Sequence, residues 1–271
     1  MQAPDGTPTQ AAYGFANTLI RFLSERAPSH LACCFDYSLE SFRNREFPAY
    51  KSSRGEQAPP DLQPQFALCR EVASALGIPV FEAEGYEADD VIATLVAQLL
   101  AEGGRVQVVS SDKDLSQLVT ADGRVVLHDL QRSRTLDAEG VRQKYGVYPE
   151  QIPDYLALLG DAVDDLPGVP GYGTKSAAAA LGAFGHLEQI PLDRMGWEGV
   201  AVRGAQRLAA SFALHRKQAL DIRRLATLVR DVPGVEASLD TLAWPGAALE
   251  RFQRLSERLG WGRIATRVPA S

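Results

Sequence analysis

At 271 residues the chain is long enough to bury a proper core, as one large domain or two small ones. Its 45% apolar and 23% charged residues suit a soluble globular protein, and no uninterrupted apolar run reaches the roughly eighteen residues of a membrane helix. The net charge of −6 speaks against a phosphate-binding partner only on average, because bases gather at Arg43–Arg54 and again at Arg203–Arg224. Met1–Gln10 lacks a basic segment followed by an apolar run, so no secretory signal is visible. Cys33, Cys34 and Cys69 make neither a disulfide framework nor a CxxC zinc pair, and a reducing cytoplasm is the expected compartment.

Taken in order, Ala12–Arg26 carries apolar residues at helical spacing, and Leu31–Phe35 is a short apolar run ending at Asp36. On a strand Cys33 and Cys34 would point to opposite faces. Leu39–Pro64 has no apolar period and reads as a long basic loop. Gln65–Leu76 and Tyr86–Glu102 are predicted helices; Pro79–Glu82, Val106–Ser110 and Val125–His128 are predicted strands. Alternation of this kind indicates an α/β domain with a mostly parallel sheet covered by helices. From Asp137 onward the strands stop, and Ala138–Tyr145, Pro149–Leu159, Thr174–Phe184, Gly204–Leu225 and Pro245–Leu259 read as helices. The expected division is therefore an α/β core over 1–136, with its basic segment near 39–64, and a helical region over 137–271.

Ligand sites in parallel sheets lie beyond the carboxyl ends of the strands. Asp36 closes one predicted strand, Glu87, Asp89 and Asp90 follow a second, and Asp112 and Asp114 follow a third. Asp161 and Asp164 sit in a turn that can swing back over the same edge. Singly, each has a structural explanation: acids favour helix starts, cap helices and populate turns. Together, eight carboxylates on one edge repel one another unless cations are bound. Oxygen-only ligation selects magnesium or manganese over zinc, and a pair of such ions is a recurrent solution for phosphodiester hydrolysis. His30, His128, His186 and His215 lie in no acidic cluster and read as structural or surface residues.

The run Pro167–Lys175 leads directly into a helix with glycines at 168, 171 and 173. It fails the P-loop spacing, and Ser176 stands where a dinucleotide fingerprint needs its third glycine. Two readings stay open: a helix–turn–helix that grips a DNA backbone phosphate through its amides, or a tight helix–helix turn.

The ordered series Phe35-Asp36, Phe42-Arg43, Tyr50-Lys51, Arg54, Gly85–Val91, Asp112–Leu115, Tyr145–Val147, Asp154–Leu158 and Gly160-Asp161 through Gly173 resembles the motifs of the 5′ nuclease family. That family includes flap endonucleases and the N-terminal nuclease of DNA polymerase I, and the resemblance runs from about residue 11 to the C-terminus. It implies a PIN-like nuclease core, a helix–three-turn–helix motif, and structure-specific 5′–3′ exonuclease and flap endonuclease activity in replication or repair. Asp36, Glu87, Asp89 and Asp90 would surround a first Mg²⁺ or Mn²⁺ ion, and Asp112, Asp114, Asp161 and Asp164 a second. The basic segment would form an arch for a single-stranded 5′ end, with Arg43, Lys51 and Arg54 near the scissile phosphate and Tyr50 stacked on a base. Gly168, Val169, Gly171, Gly173, Thr174 and Lys175 would hold duplex DNA, with K⁺ at the turn.

Two features depart from the family pattern. Family members begin with a strand bearing an aspartate ligand, and Met1–Asp5 offers none, so Asp5 does not inherit the role. Either such a strand lies roughly 25–35 residues upstream, or a short chain binds branched DNA and cuts it slowly or not at all. Asp165 stands where relatives usually carry asparagine, and an extra carboxylate there would tune the second site.

Overall fold

The computed structural model describes residues 1–53, 59 and 61–269. Its elements run α1 (Gln10–Arg26), β1 (Cys33–Cys34), α2 (Phe42–Glu46), α3 (Gln63–Ala75), β2 (Val80–Phe81), α4 (Ala88–Ala101), β3 (Val106–Val109), β4 (Val125–Asp129) and β5 (Arg134–Leu136). The helices α5 (Ala138–Tyr145), α6 (Ile152–Leu159), α7 (Thr174–Phe184), α8 (Ala205–Ala226), α9 (Leu239–Leu242) and α10 (Leu249–Arg258) follow. None of the described helices is long and apolar enough to cross a membrane.

β1 pairs in parallel with β2, Cys33 opposite Val80, and β3 pairs in parallel with β4. β5, absent from the sequence reading, adds antiparallel to β4 through a tight turn. The two sets share no ladder among the described residues, and α4 packs against both β1 and β3. Helices cover both faces of the short β1–β2 pair. Cys33 joins the apolar cluster of α1, α3 and α10, while Cys34 joins the cluster formed by Val91 and Leu95 of α4 with Val232 and Val235. Opposite faces for adjacent cysteines follow from strand geometry. A larger cluster runs from Val108, Val125 and Leu127 through Tyr155, Leu158 and Leu181 to Phe212 and Leu225, so the helical region shares its core with the sheet.

The expected loop over 39–64 contains a helix. Ser41 opens α2 with a capping box: its Oγ accepts the Arg43 amide at 3.2 Å, and Asn44 Oδ1 accepts the Ser41 amide at 2.8 Å. A five-residue helix is too short to show an apolar period, which is why its pattern was not legible. At the other end of the chain, Asp5 lies in an exposed turn and accepts the Thr7 amide at 2.9 Å, away from any strand end.

The turn between α6 and α7 is built on close backbone approach. Gly160 leaves α6 at φ +80°, and Val169 donates its amide to the Leu158 carbonyl at 2.9 Å. A Cβ on Gly168 would lie 2.4 Å from the Leu159 carbonyl group, whereas a Cβ on Gly173 would meet nothing within 4 Å. Gly168 is therefore required by packing, and Gly173 faces open space. Gly168→Ala is expected to lower the unfolding free energy by about 1–3 kcal/mol or more, and Gly173→Ala to stay within about 0.5 kcal/mol of the parent. Urea midpoints of the two variants check the contrast.

Candidate metal centre and phosphate clamp

Glu87 ends the connection from β2 in extended backbone and serves as N-cap of α4, which places Asp89 and Asp90 in the first helical turn. Asp36, just past β1, reaches the same helix end and accepts the Ala88 amide at 2.7 Å. Beyond β3, Asp112 Oδ1 accepts the Asp114 amide at 2.9 Å, and Asp114 opens a short 3₁₀ turn. Asp161 and Leu166 bridge across the loop after α6, which folds Asp164 back toward the sheet.

Asp114, Asp161 and Asp164 each present a carboxylate oxygen within 4.8 Å of the others. Asp114 Oδ1 is buried and accepts no hydrogen bond among the described residues. Asp89 is near enough to Asp112 and Asp114 to feel their charges. Burial, then the charges of Asp112, Asp114 and Glu87, push its carboxyl up to about 8, with Lys51 opposing. Burial, then Asp112, Asp164 and Asp161, push Asp114 up to about 7, with Lys113 opposing. Donors that are all oxygen, one of them orphaned and buried, suit hard divalent cations.

Two lysines enter this acidic edge. Lys51 Nζ donates to Glu87 Oε2 at 2.9 Å and lies 3.9 Å from Asp164 Oδ2. Its backbone sits at φ +52°, a left-handed conformation costing about 1–3 kcal/mol for such a residue, and its amide bonds the Asp164 carbonyl at 3.0 Å. Ser53 then donates its amide and hydroxyl to Asp165 Oδ2 at 3.0 and 2.8 Å. Asp165 also lies in the left-handed region, at φ +54°, which aspartate and asparagine tolerate better than most residues. The foot of the basic segment is thus pinned to the loop carrying Asp161 and Asp164. Lys113 Nζ pairs with Asp161 at 2.7 Å. The sequence reading assigned Lys113 no role, although its place between Asp112 and Asp114 signals a counter-charge.

Three predicted site residues occupy different places. Arg43 is 1% exposed and Asp90 is 0% exposed, and they form a two-pronged ion pair at 2.6 and 2.8 Å. Asp90 also accepts the amides of Glu87 (3.2 Å) and Val229 (2.9 Å), so both its oxygens are committed and it leaves the ligand set. Arg43 is buried, with its guanidinium donors directed to Asp90 and to the carbonyls of Leu225 and Thr227. Tyr50 is 3% exposed and donates its hydroxyl to Glu87 Oε2 at 3.0 Å, with Asp164 Oδ2 3.3 Å away, so it offers no ring face to a base. Burial, then Glu87 and Asp164, raise its phenol far above the ordinary range and keep it a donor. Side-chain partners such as these cannot be read from spacing. Arg54 lies outside the described residues.

At the turn, Val169 is buried, while Gly171, Gly173, Thr174 and Lys175 are exposed. Ser176 Oγ accepts the Gly173 amide at 2.8 Å. Thr174 and Lys175 open α7, and amides in the first turn of a helix have no partner within that helix. Such a terminus favours anions.

The model of the 5′-3′ exonuclease N-terminal resolvase-like domain matches residues 1–146, and that of the 5′-3′ exonuclease C-terminal SAM fold matches residues 147–250. The chain belongs to the 5′-3′ exonuclease family. It is 40% identical over 263 residues to DNA polymerase I of Bacillus caldotenax, covering 94% of this chain and 28% of that protein. DNA polymerase I of Mycobacterium leprae is also 40% identical, over 265 residues, covering 97% of this chain and 28% of the relative. The chain thus spans little more than a quarter of the relatives it matches. In fold it is similar to a T5 5′-exonuclease structure with divalent metal ions (zinc) bound, at TM-score 0.65 and 20% identity, covering 94% of this chain and 93% of the other. The catalytic core of Rad2 in complex with DNA substrate aligns at TM-score 0.60 and 18% identity, covering 96% and 86%.

The raised carboxyls of Asp89 and Asp114 set a pH dependence. In the native protein they hold protons at pH values where the unfolded chain, with carboxyls near 3.8, has lost them. Stability from this source is full below that value and is lost as pH rises through about 7 and then 8. In EDTA, the thermal midpoint of the parent should fall more steeply between pH 5 and 8.5 than that of Asp89→Asn, as calorimetric scans would show; equal slopes would contradict the assignment.

Proposed function

We propose that this chain is a divalent-cation-dependent 5′–3′ exonuclease and flap endonuclease acting on DNA with a 5′ flap or single-stranded 5′ end, in replication or repair. The observation that carries the reading is the oxygen cluster of Asp114, Asp161 and Asp164 with its orphaned buried Asp114 Oδ1. Family membership and the kinship to DNA polymerase I supply the substrate class.

In this reading Asp114, Asp161 and Asp164 would hold one Mg²⁺ or Mn²⁺ ion. Asp89, Asp112 and Asp36 are the carboxylates available for a second. When bound, such ions generate hydroxide from water near neutral pH and withdraw charge from the phosphate. Glu87 accepts bonds from Ser41, Tyr50 and Lys51, so its main work is to hold Lys51 at the edge. The Lys51 ammonium then stabilises negative charge developing on the phosphate oxygens. Thr174 and Lys175 grip a phosphate further along the duplex through their amides, without reading bases. At the turn the carbonyls of Gly168, Val169 and Pro170 each accept one protein hydrogen bond, and each keeps a second lone pair for the K⁺ expected there. Cytoplasmic location is consistent with these roles and rests on the sequence reading alone.

A 5′-flap duplex incubated with the protein and Mg²⁺ should yield cut flap, with no product in EDTA. Lys51→Ala should lower the turnover rate on the order of 10²–10³-fold, with flap-DNA affinity changed far less. Tight binding without cleavage by the parent protein would favour a weakened branched-DNA-binding protein instead.

A further inference from the structure

Two groups of side chains that the hydrolytic reading leaves aside meet α8. Toward its start and along its middle, this helix carries the glycine turn. Ser211 Oγ donates to the Pro170 carbonyl at 2.6 Å, Tyr172 donates its hydroxyl to the Leu208 carbonyl at 3.3 Å, and Gln218 Nε2 donates to the Gly168 carbonyl at 3.4 Å. At the other end, the last carbonyls are received by the α/β core. Arg43 donates Nε–H to Leu225 O at 2.7 Å and an Nη2 proton to Thr227 O at 3.3 Å. Gln117, 5% exposed, donates to Ala226 O at 3.0 Å and accepts the Leu228 amide at 3.0 Å. The fourteen steps from Ser211 to Leu225 span about 21 Å at 1.5 Å per residue.

The chain leaving α8 is then laid along α4. Asp90, Thr94 and Gln98 are spaced by four, which puts them on one face of that helix. Asp90 accepts the Val229 amide (2.9 Å), Thr94 Oγ1 accepts the Val232 amide (3.1 Å), and Gln98 donates to Val235 O (2.7 Å) and accepts the Ala237 amide (2.9 Å). This ladder of side chains takes the place of a strand partner. Its first rung is Asp90, bonded to Arg43 and one residue from Asp89.

We infer that the Arg43–Asp90 pair and the Thr94–Gln98 ladder are a positioning joint that fixes α8 on α4, and through α8 the register between the phosphate-gripping turn and the carboxylate edge. The inference rests on the nuclease reading for its functional consequence. Physical reasoning favours register over stability as the role of this pair. A buried ion pair pays a desolvation cost that an apolar pair of similar volume avoids, and its best-attested use is to specify one arrangement among several. The arrangement matters here because Asp89 belongs to α4, whereas Asp161 and Asp164 belong to the loop that leads into the turn. A slip at the joint would move the two carboxylate groups, and the gripped duplex, relative to each other.

The test uses the full chain, Arg43→Lys, and the double variant Thr94→Val/Gln98→Leu, which leaves every carboxylate of the edge untouched. Products from a 5′-flap duplex are mapped at single-nucleotide resolution at equal total cleavage. In parallel, spin labels at Arg105 beside β3 and Ala183 on α7 report the distance distribution between core and turn. The expected result is one dominant cut and a narrow distribution for the parent, with cuts spread to neighbouring phosphodiesters and a broadened distribution in both variants. A variant that merely loses folded protein would cut less at the same position, and that outcome overturns the inference. Unchanged distance distributions in both variants overturn it as well. If Arg43→Lys fails to fold, the double variant decides. If the parent cuts nothing, the nuclease reading fails for this chain and the distance measurement alone decides the joint.

Discussion

Mutual repulsion among carboxylates is the constraint to which the rest of the molecule answers. Burial, and then the charges of neighbouring carboxylates, raise the proton affinity of Asp89 (through Asp112 and Asp114) and of Asp114 (through Asp112, Asp164 and Asp161), although these groups come from three separate turns of the chain. At separations of a few ångströms and intermediate dielectric, each such pair opposes folding by an amount on the order of a few kcal/mol. The protein offsets part of this locally, with Lys51 on Glu87 and Lys113 on Asp161. The remainder is offset by protonation in the absence of cations, and by divalent cations when they bind. A scaffold must pin each carboxylate firmly to resist the repulsion, and the surrounding hydrogen bonds do so.

Helix α4 is the element that makes this possible. Its start carries Glu87, Asp89 and Asp90, and the Asp36 carboxylate binds its first free amide. Val91 and Leu95 enter one apolar cluster and Ala93 and Val96 another, so the helix is held from two sides. A third side carries the polar rungs that receive the segment after α8. Carboxylates placed on so firmly packed a helix cannot drift apart under their own repulsion.

Much of this was legible in the sequence, and the reasons for the misses are physical. Long helices with a clear apolar period, and acids at strand ends, follow from chemistry that spacing displays. The acid cluster at one edge was visible for that reason. The roles of Arg43, Asp90 and Tyr50 were not, because a charged or aromatic residue in a motif looks the same whether it faces solvent or a buried partner. Arg43 finds Asp90 47 residues away and the α8 carbonyl of Leu225 182 residues away, distances that no local pattern encodes. Helix α2 escaped notice because one turn has no period, and β5 because three residues beside a tight turn have no alternation to read. The glycine turn divided along the same line: Gly168 is fixed by contact with the Leu159 carbonyl, and Gly173 is not. Spacing alone could not separate them.

The central claim is that the acidic edge is a binding site for divalent cations. Calorimetric titration of Mn²⁺ into the metal-free protein, without DNA and in buffers of different ionisation enthalpy, tests it most directly. Saturable binding should be accompanied by proton release at pH 7, because Asp89 and Asp114 must give up the protons that burial and their neighbours hold in place. The release should shrink at pH 9, and Asp114→Asn should weaken binding. Absence of saturable binding, or binding with no proton release at pH 7, would contradict the account.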